Sequence, residues 1–355
     1  MNSLLRQFCR FVVTSVTAIS CLGCGSHSVQ PPVGTMPDRT LGFGVTEGSV
    51  GYELAFASAK HAGIQFIELP QQWDEIEATP ATYTSEFVSM ANQVYPALDT
   101  SIVLSLNPID TNALRVPEHL RDLSWDSDQR IEAFCKWIDW TLEQLPDASV
   151  IAISVGNEVD GWFAAHPEQL AGYTVFFKAV VDHIHDNHPD IPVGVKVTFG
   201  GRVGELASEL NKLESAADVC MLTYYPLDES FQVRPPSSIE ADFVKMIEVA
   251  SDKPVYLLEA GYPSDAACGS SQIHQAAFVD AMFAAWDKHV EAVPVINFVW
   301  TCDLSRTEVA AMTKYYGVEL VAFAKYLGTL GLQTHDGKPK PAWNRIRDNV
   351  AERSR

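Results

Sequence analysis

The strongest constraint on this chain is a repeated pair of segments: a short, nearly unbroken apolar run, a loop, then a stretch with helical periodicity. The runs are Leu41–Val45, Ile64–Leu69, Ser101–Leu106, Ser149–Val155, Ile191–Val197, Asp218–Thr223, Pro254–Leu258 and Pro294–Val299. Runs without polar alternation suit parallel strands covered on both faces. Between them, Tyr52–Ala62 stops at Gly63, a favourable helix C-terminus. Asp126–Leu145 aligns Ile131, Phe134, Ile138, Leu142 and Leu145 on one stripe, and Ser270–Val290 repeats the arrangement. The units average roughly 36 residues, the length of a βα repeat with some long loops. No Gly-x-Gly-x-x-Gly follows the first run, which favours a closed barrel over an open doubly wound sheet. The expected fold is an α/β (β/α)8 TIM barrel, a single domain over residues 41–355.

The chain has 355 residues, 47% of them hydrophobic, enough apolar material to offset the entropy of ordering. Lys and Arg number 25 against 45 Asp and Glu, a net charge of −20, with no basic run. Such a field repels phosphate backbones and polyanions, which excludes nucleic acid as a partner. Before the barrel, Arg6 and Arg10 precede the uncharged stretch Phe11–Ser20, too short to span a bilayer as a helix. With Cys21-Leu22-Gly23-Cys24 after it, residues 1–23 resemble a bacterial lipoprotein signal. That resemblance implies lipidation of Cys24, with Cys21 as the alternative, and a protein exported and lipid-anchored to the cell envelope. Residues 24–40, rich in proline, read as a flexible tether. Cys135 and Cys220 fall in helix and strand patterns and read as buried thiols. Cys268 and Cys302 fall in loops, where export permits a disulfide between them or two unpaired thiols.

In a barrel of this kind the chemistry sits at the C-terminal ends of the strands. Those positions supply Glu47, Glu68, Trp73, Asn107, Asp110, Asn157, Glu158, Asp160, Trp162, Lys196, Tyr224, Tyr225, Glu259, Tyr262, Trp300 and Asp303. No strand end carries histidine, so a metal site is not expected. His183, His185 and His188 fall late in an amphipathic helix and read as a solvated helix end. Gly200-Gly201 is a poor phosphate loop, and no cofactor is called for. Paired carboxylates, aromatic rings and amides remain, which is the equipment for cutting a glycosidic bond.

Gly156-Asn157-Glu158 ending the fourth run and Leu258-Glu259 ending the seventh resemble the retaining (β/α)8 glycoside hydrolases of clan A. The resemblance implies a retaining enzyme acting on a carbohydrate, a β-linked and neutral polysaccharide or oligosaccharide. Glu158 would be its acid/base, Glu259 its nucleophile, and Asn157 the residue holding a sugar hydroxyl. Tyr224 or Tyr225 would hydrogen-bond the nucleophile, neighbours on a strand pointing opposite ways. Trp300 would floor the subsite where the bond is cut, and Gly337–Trp343 looks like a closing segment. Glu68 and Asn107 stand where clan members often carry arginine and histidine, so the floor of the site differs from the usual pattern. Val155-Gly156-Asn157-Glu158 and Glu259-x-Gly-Tyr-Pro lean toward the endo-β-1,4-galactanase-like branch. Trp73, Trp162 and Tyr262 are either sugar platforms or loop packing, and Lys196 either a site lysine or an ion-pair partner. A monomer is expected. The rival readings are a non-catalytic glycan-binding barrel of the envelope and a different barrel enzyme, such as a lyase using Lys196.

Overall fold

The structure is a computed structural model that describes residues 32–354, so the signal segment and Cys24 lie outside the described residues. Eight strands form the barrel: β1 (Thr40–Gly44), β2 (Phe66–Gln72), β3 (Ser101–Asp110), β4 (Val150–Asn157), β5, β6 (Cys220–Tyr224), β7 (Val255–Ala260) and β8 (Val295–Val299). Strand β5 is in two pieces, Val193–Gly194 pairing with β4 and Lys196–Thr198 pairing with β6. Parallel pairing therefore runs around the whole ring, from β5 through β4, β3, β2, β1, β8, β7 and β6 back to β5. A (β/α)8 TIM barrel is the result.

The strands divide their side chains between two cores. Phe66, Val103, Ala152, Met221, Leu258 and Val295 fill the inside of the barrel as one cluster. The opposite faces, including Leu41, Phe43, Ile102, Leu104, Ile153 and Leu257, pack outward with the helices as a second, larger one. Helices α1 (Tyr52–His61), α2 (Glu86–Ala97), α3 (Asp128–Glu143), α4 (Leu170–Asn187), α5 (Ala207–Leu213), α6 (Ile239–Ala250) and α7 (Gln272–His289) follow the strands in turn. Ser127 and Ser271, just ahead of α3 and α7, accept hydrogen bonds from the Arg130 and His274 amides and so set where those helices begin.

One region departs from the sequence reading and another goes beyond it. Residues 33–39, assigned to the tether, pack on the barrel instead. Met36 is buried, Val33 N donates to His61 O, and buried Arg39 pairs with Asp38 and Asp287. Apolar Met36 and the Arg39 ion pairs supply contacts that proline content does not foretell. After β8 the chain does not go straight to the outer ring. It first forms α8 (Arg306–Tyr316) and α9 (Val321–Thr329), and only then α10 (Pro341–Arg353), which packs beside α7 and sets Trp343 against Phe43. Helices α8 and α9 belong to a satellite apolar cluster containing Phe323, Tyr326, Leu327 and Leu330, with Tyr225, Phe231 and Trp300 packed against it. That cluster lies over the C-terminal mouth of the barrel. Among the described residues, no helix is long and apolar enough to cross a membrane.

Candidate active site

At the mouth lies a cavity of about 840 Å³, walled by the ends of all eight strands and by the α8–α9 insertion. Glu158 and Glu259 both line it. Each reaches the cavity through a local break in regular geometry. At the end of β4, Gly156 has φ +90°, and a Cβ there would sit 2.5 Å from Val159 Cγ1 and 2.9 Å from the Tyr173 hydroxyl. Glu158 itself is left-handed, with φ 44° and ψ 47°, a conformation few non-glycine residues hold. The following short helix (Val159–Ala165) is anchored by buried Asp160, which accepts from Thr198 N at 2.8 Å and Thr198 Oγ1 at 2.6 Å. In β7 the pairing jumps: Leu222 faces Leu257, but Thr223 faces Glu259. Leu258 is thus an extra residue that enters the barrel interior, and the bulge re-aims Glu259 into the cavity.

The two glutamates sit in opposite electrostatic settings. Among the described residues no lysine or arginine pairs with Glu158; Thr223 Oγ1 donates to its Oε1 at 2.7 Å and Thr111 Oγ1 to its Oε2 at 3.0 Å. Burial, reinforced by the charge of Glu259, pushes the Glu158 carboxyl up to about 8, so it carries its proton at neutral pH. Glu259 is instead clamped by donors. Lys196 Nζ lies 2.9 Å from its Oε1, and the Tyr225 hydroxyl 2.5 Å from its Oε2. Burial alone would depress the Lys196 ammonium, but Glu68 at 2.5 Å and Glu259 together hold it above its usual value. Burial and the neighbouring Glu259 charge likewise keep the Tyr225 phenol protonated. Burial raises Glu68 too, against the pull of Lys196.

The remaining expected residues fall into two groups. Asn107, Asn157, Glu68 and Trp300 line the cavity with the glutamates, and the Val299–Trp300 peptide is cis. Gly44 makes room for Trp300, since a Cβ there would come within 2.9 Å of the indole. Asn157 Nδ2 donates to Asp110 Oδ1 at 2.8 Å, while Asn157 Oδ1 is buried without a partner. Lys196 is an ion-pair partner for Glu68 and Glu259.

The second group points elsewhere. Tyr224 turns outward and donates to Asp242 Oδ2 at 2.6 Å, leaving Tyr225 as the tyrosine at the site. Trp73 is fully buried in the outer layer, stacked on Trp137 and edge-on to Phe134, because β2 runs to Gln72 and a helical turn then folds the indole outward. Trp162 stacks on His166 and donates to Gln169, and Tyr262 stacks on Phe278 with its hydroxyl on Arg234 O. Neither ring is part of the cavity wall. Cys268 and Cys302 are not joined: both are free and buried, Cys268 under α9 with Sγ toward Ala322 O, Cys302 against Gly48. Packing in separate places, rather than a disulfide, is what removes them from solvent.

Several cavity residues carry no strand-end signal. Tyr316, Phe323 and Tyr326 come from the insertion, and Tyr315 of the same α8, outside the cavity wall, donates to the lining residue Asp110 at Oδ2, 2.7 Å away. The Ser305-x-x-Glu308 capping box marks the start of α8 in the sequence, but not the place over the mouth to which it folds. Among the described residues, no group of three or more His, Cys, Asp or Glu side chains is arranged to hold a metal ion.

No protein-family model matches the sequence, and no curated protein matches it significantly. Solved structures do share its fold. The exo-beta-1,4-mannosidase of Opitutaceae bacterium strain TAV5 superposes with a TM-score of 0.66 at 16% identity, over 89% of this chain and 60% of that one. The chain thus spans three-fifths of that protein's length. A GH5_18 protein of Bifidobacterium longum subsp. longum, solved in complex with Manb1-4GlcNAc, gives 0.68 at 11% identity over 88% and 78%. Xylanase 10B of Thermotoga maritima gives 0.63 at 14% identity over 89% and 96%. At such identities the likeness is one of fold.

Proposed function

We propose that the protein is a retaining glycoside hydrolase that cuts a β-linked, neutral sugar by double displacement. The observation that carries this is the pair of glutamates in one cavity with opposed settings: Glu158 neutral at pH 7, Glu259 ringed by donors. One carboxyl group able to give a proton and one able to attack are what glycosidic cleavage requires.

Glu259 Oε attacks the anomeric carbon as the bond to the leaving oxygen breaks, and that oxygen takes the proton of Glu158. The product of this step is a glycosyl ester of Glu259 and a free alcohol. Glu158, now a carboxylate, removes a proton from water as the water oxygen attacks the same carbon. The ester breaks, the sugar leaves with its original anomeric configuration, and Glu158 is protonated again. Tyr225 and Lys196 hold Glu259 in line and take up its returning charge when the ester breaks. Asn157, its amide fixed by Asp110, lines the cavity beside Glu158, placed to hold a sugar hydroxyl. Trp300 offers a face for the sugar ring.

Support for a carbohydrate substrate also comes from the fold neighbours, whose names describe a mannosidase, a complex with Manb1-4GlcNAc and a xylanase. Galactan, to which the short motifs lean, belongs in the same substrate panel as mannan, xylan and glucan. A Schiff-base lyase is disfavoured, because Lys196 is held protonated between two carboxylates and so lacks a free lone pair. We propose further that the protein is exported and anchored through lipidated Cys24. Release of 4-nitrophenol from aryl β-glycosides, lost in Glu259→Ala with the fold intact, tests the hydrolase reading. Wild-type turnover in that variant, or a failure to turn over every β-glycoside in the panel, refutes it.

A further inference from the structure

The cavity is polar at its base and apolar above. Around the glutamates stand Asn107, Asn157, Asn297 and the Glu68–Lys196 pair. Beyond them the wall is made by Phe231, Met312, Val318, Phe323, Tyr326 and Leu327, drawn from the loop after β6 and from the α8–α9 insertion. These residues are one packed cluster and not scattered contacts: Phe231 and Phe323 lie 4.9 Å apart between ring centroids, and Tyr326 meets the ring of Tyr225 edge-on at 5.4 Å. The cluster thus continues directly from Tyr225, the donor to Glu259.

A second sugar unit presents hydroxyls all round its ring and needs amide, carboxylate or hydroxyl partners; Asn112, Asp228, Glu229 and the Tyr316 and Tyr326 hydroxyls line the cavity too, but the Leu227, Phe231, Met312, Val318, Phe323 and Leu327 side chains offer none. Anionic groups are disfavoured as well. Among the described residues lining the cavity Lys196 is the one lysine or arginine, both its carboxylate partners are already in place, and Asp228 and Glu229 add negative charge. Leu320 and Val321 are also exposed at the α8–α9 turn.

We propose that the leaving group of the natural substrate is apolar: the site takes a β-glycoside of an alkyl or aryl alcohol, its sugar at the glutamates and its hydrocarbon against the α8–α9 insertion. This rests on the hydrolase reading and narrows it, replacing a continuing glycan chain by a hydrocarbon. The chemistry is the double displacement already given, with the alcohol leaving in its first step.

The test separates binding from turnover. Dissociation constants of n-alkyl β-glucosides, β-mannosides and β-galactosides, from methyl to octyl, are measured by calorimetry on Glu158→Gln. That variant mimics the neutral acid and cannot donate its proton. Burying each added methylene in an apolar wall tightens binding about two- to fourfold, so octyl should bind at least a hundredfold more tightly than methyl in one sugar series. In Val318→Asn and Phe323→Ala, each combined with Glu158→Gln, the dependence on chain length should flatten. Should Phe323→Ala fail to fold, the half-buried Val318→Asn stands as the readout. Affinity independent of chain length in all three series, or tighter binding of tri- and tetrasaccharides than of octyl glycosides, overturns the proposal. Nitrophenol release by the wild-type enzyme is scored separately, so loss of the apolar subsite leaves the hydrolase reading standing. Conversely, chain-length-dependent binding without any hydrolysis would sink the hydrolase reading and, with it, the leaving-group assignment.

Discussion

Replacing Glu158 by Gln should make the protein inactive and more stable, and the gain should depend on pH in a defined way. In the fold, burial and the Glu259 charge lift this carboxyl from 4.5 to about 8. Below pH 4.5 the folded and unfolded chains both carry the proton. Between 4.5 and 8 the folded chain keeps a proton that the unfolded chain has released, so stability falls by about 1.4 kcal/mol for each pH unit gained. Above 8 both forms are charged and the loss levels off. From pH 5 to pH 8 the wild-type protein therefore loses on the order of 3 kcal/mol through this one group. Gln carries no charge and escapes that loss. A threonine hydroxyl must rotate to accept from the new amide, but that offset is the same at both pH values and cancels in the comparison. Urea unfolding of the two proteins at pH 5 and pH 8 measures the effect directly. The advantage of Glu158→Gln should grow by ~3 kcal/mol between the two conditions. An advantage that stays constant with pH would refute the assignment of Glu158 as a buried, neutral acid.

Further outcomes follow from the same geometry. Activity of the wild-type enzyme should fall as pH rises through about 8, where Glu158 loses the proton it must donate; a flat profile from pH 7 to 9 would contradict this. Tyr225→Phe removes a hydrogen bond to a charged carboxylate and should lower kcat/KM roughly 10- to 100-fold. Tyr224→Phe should leave kinetics alone and cost about 1–2 kcal/mol in urea unfolding, so equal kinetic losses in the two variants would contradict the geometry. Lys196→Met breaks a buried ion pair and should destabilise by about 3–5 kcal/mol, with part recovered at low pH as Glu68 protonates; a variant equally stable at pH 5 and 8 would count against that. Trp73→Ala should cost about 3–5 kcal/mol of stability while the folded fraction keeps wild-type KM, which a true sugar platform could not do.

The barrel was legible because its signal is redundant. Each parallel strand is buried on both faces, so it must be an apolar run, and eight such runs with helices between them leave few architectures. The glutamate pair was legible through Gly156-Asn157-Glu158 and Leu258-Glu259 ending two apolar runs, and the structure brings both side chains into one cavity. What the sequence concealed depends on direction rather than residue type. Tyr224 and Tyr225 are adjacent and chemically identical, and only the pairing to β7, where Leu258 is inserted, decides which of them meets Glu259. Trp73 looked like a site aromatic because β2 was taken to end at Leu69; three more strand residues place the indole in the outer layer. The insertion was hidden for a different reason. Its helices are short, and α8 has no buried side chain of its own, so its role arises from what it covers.

The central claim is a covalent intermediate on Glu259. A 2-deoxy-2-fluoro β-glycoside with a good leaving group slows hydrolysis of the ester more than its formation, so the intermediate can be caught and weighed. Intact-mass analysis followed by peptide mapping should show one added fluoroglycosyl unit, carried by the peptide containing Glu259 and absent in Glu259→Gln. Attachment at another residue, or no adduct together with an inverted anomer in the freshly released sugar by proton NMR, would contradict the account.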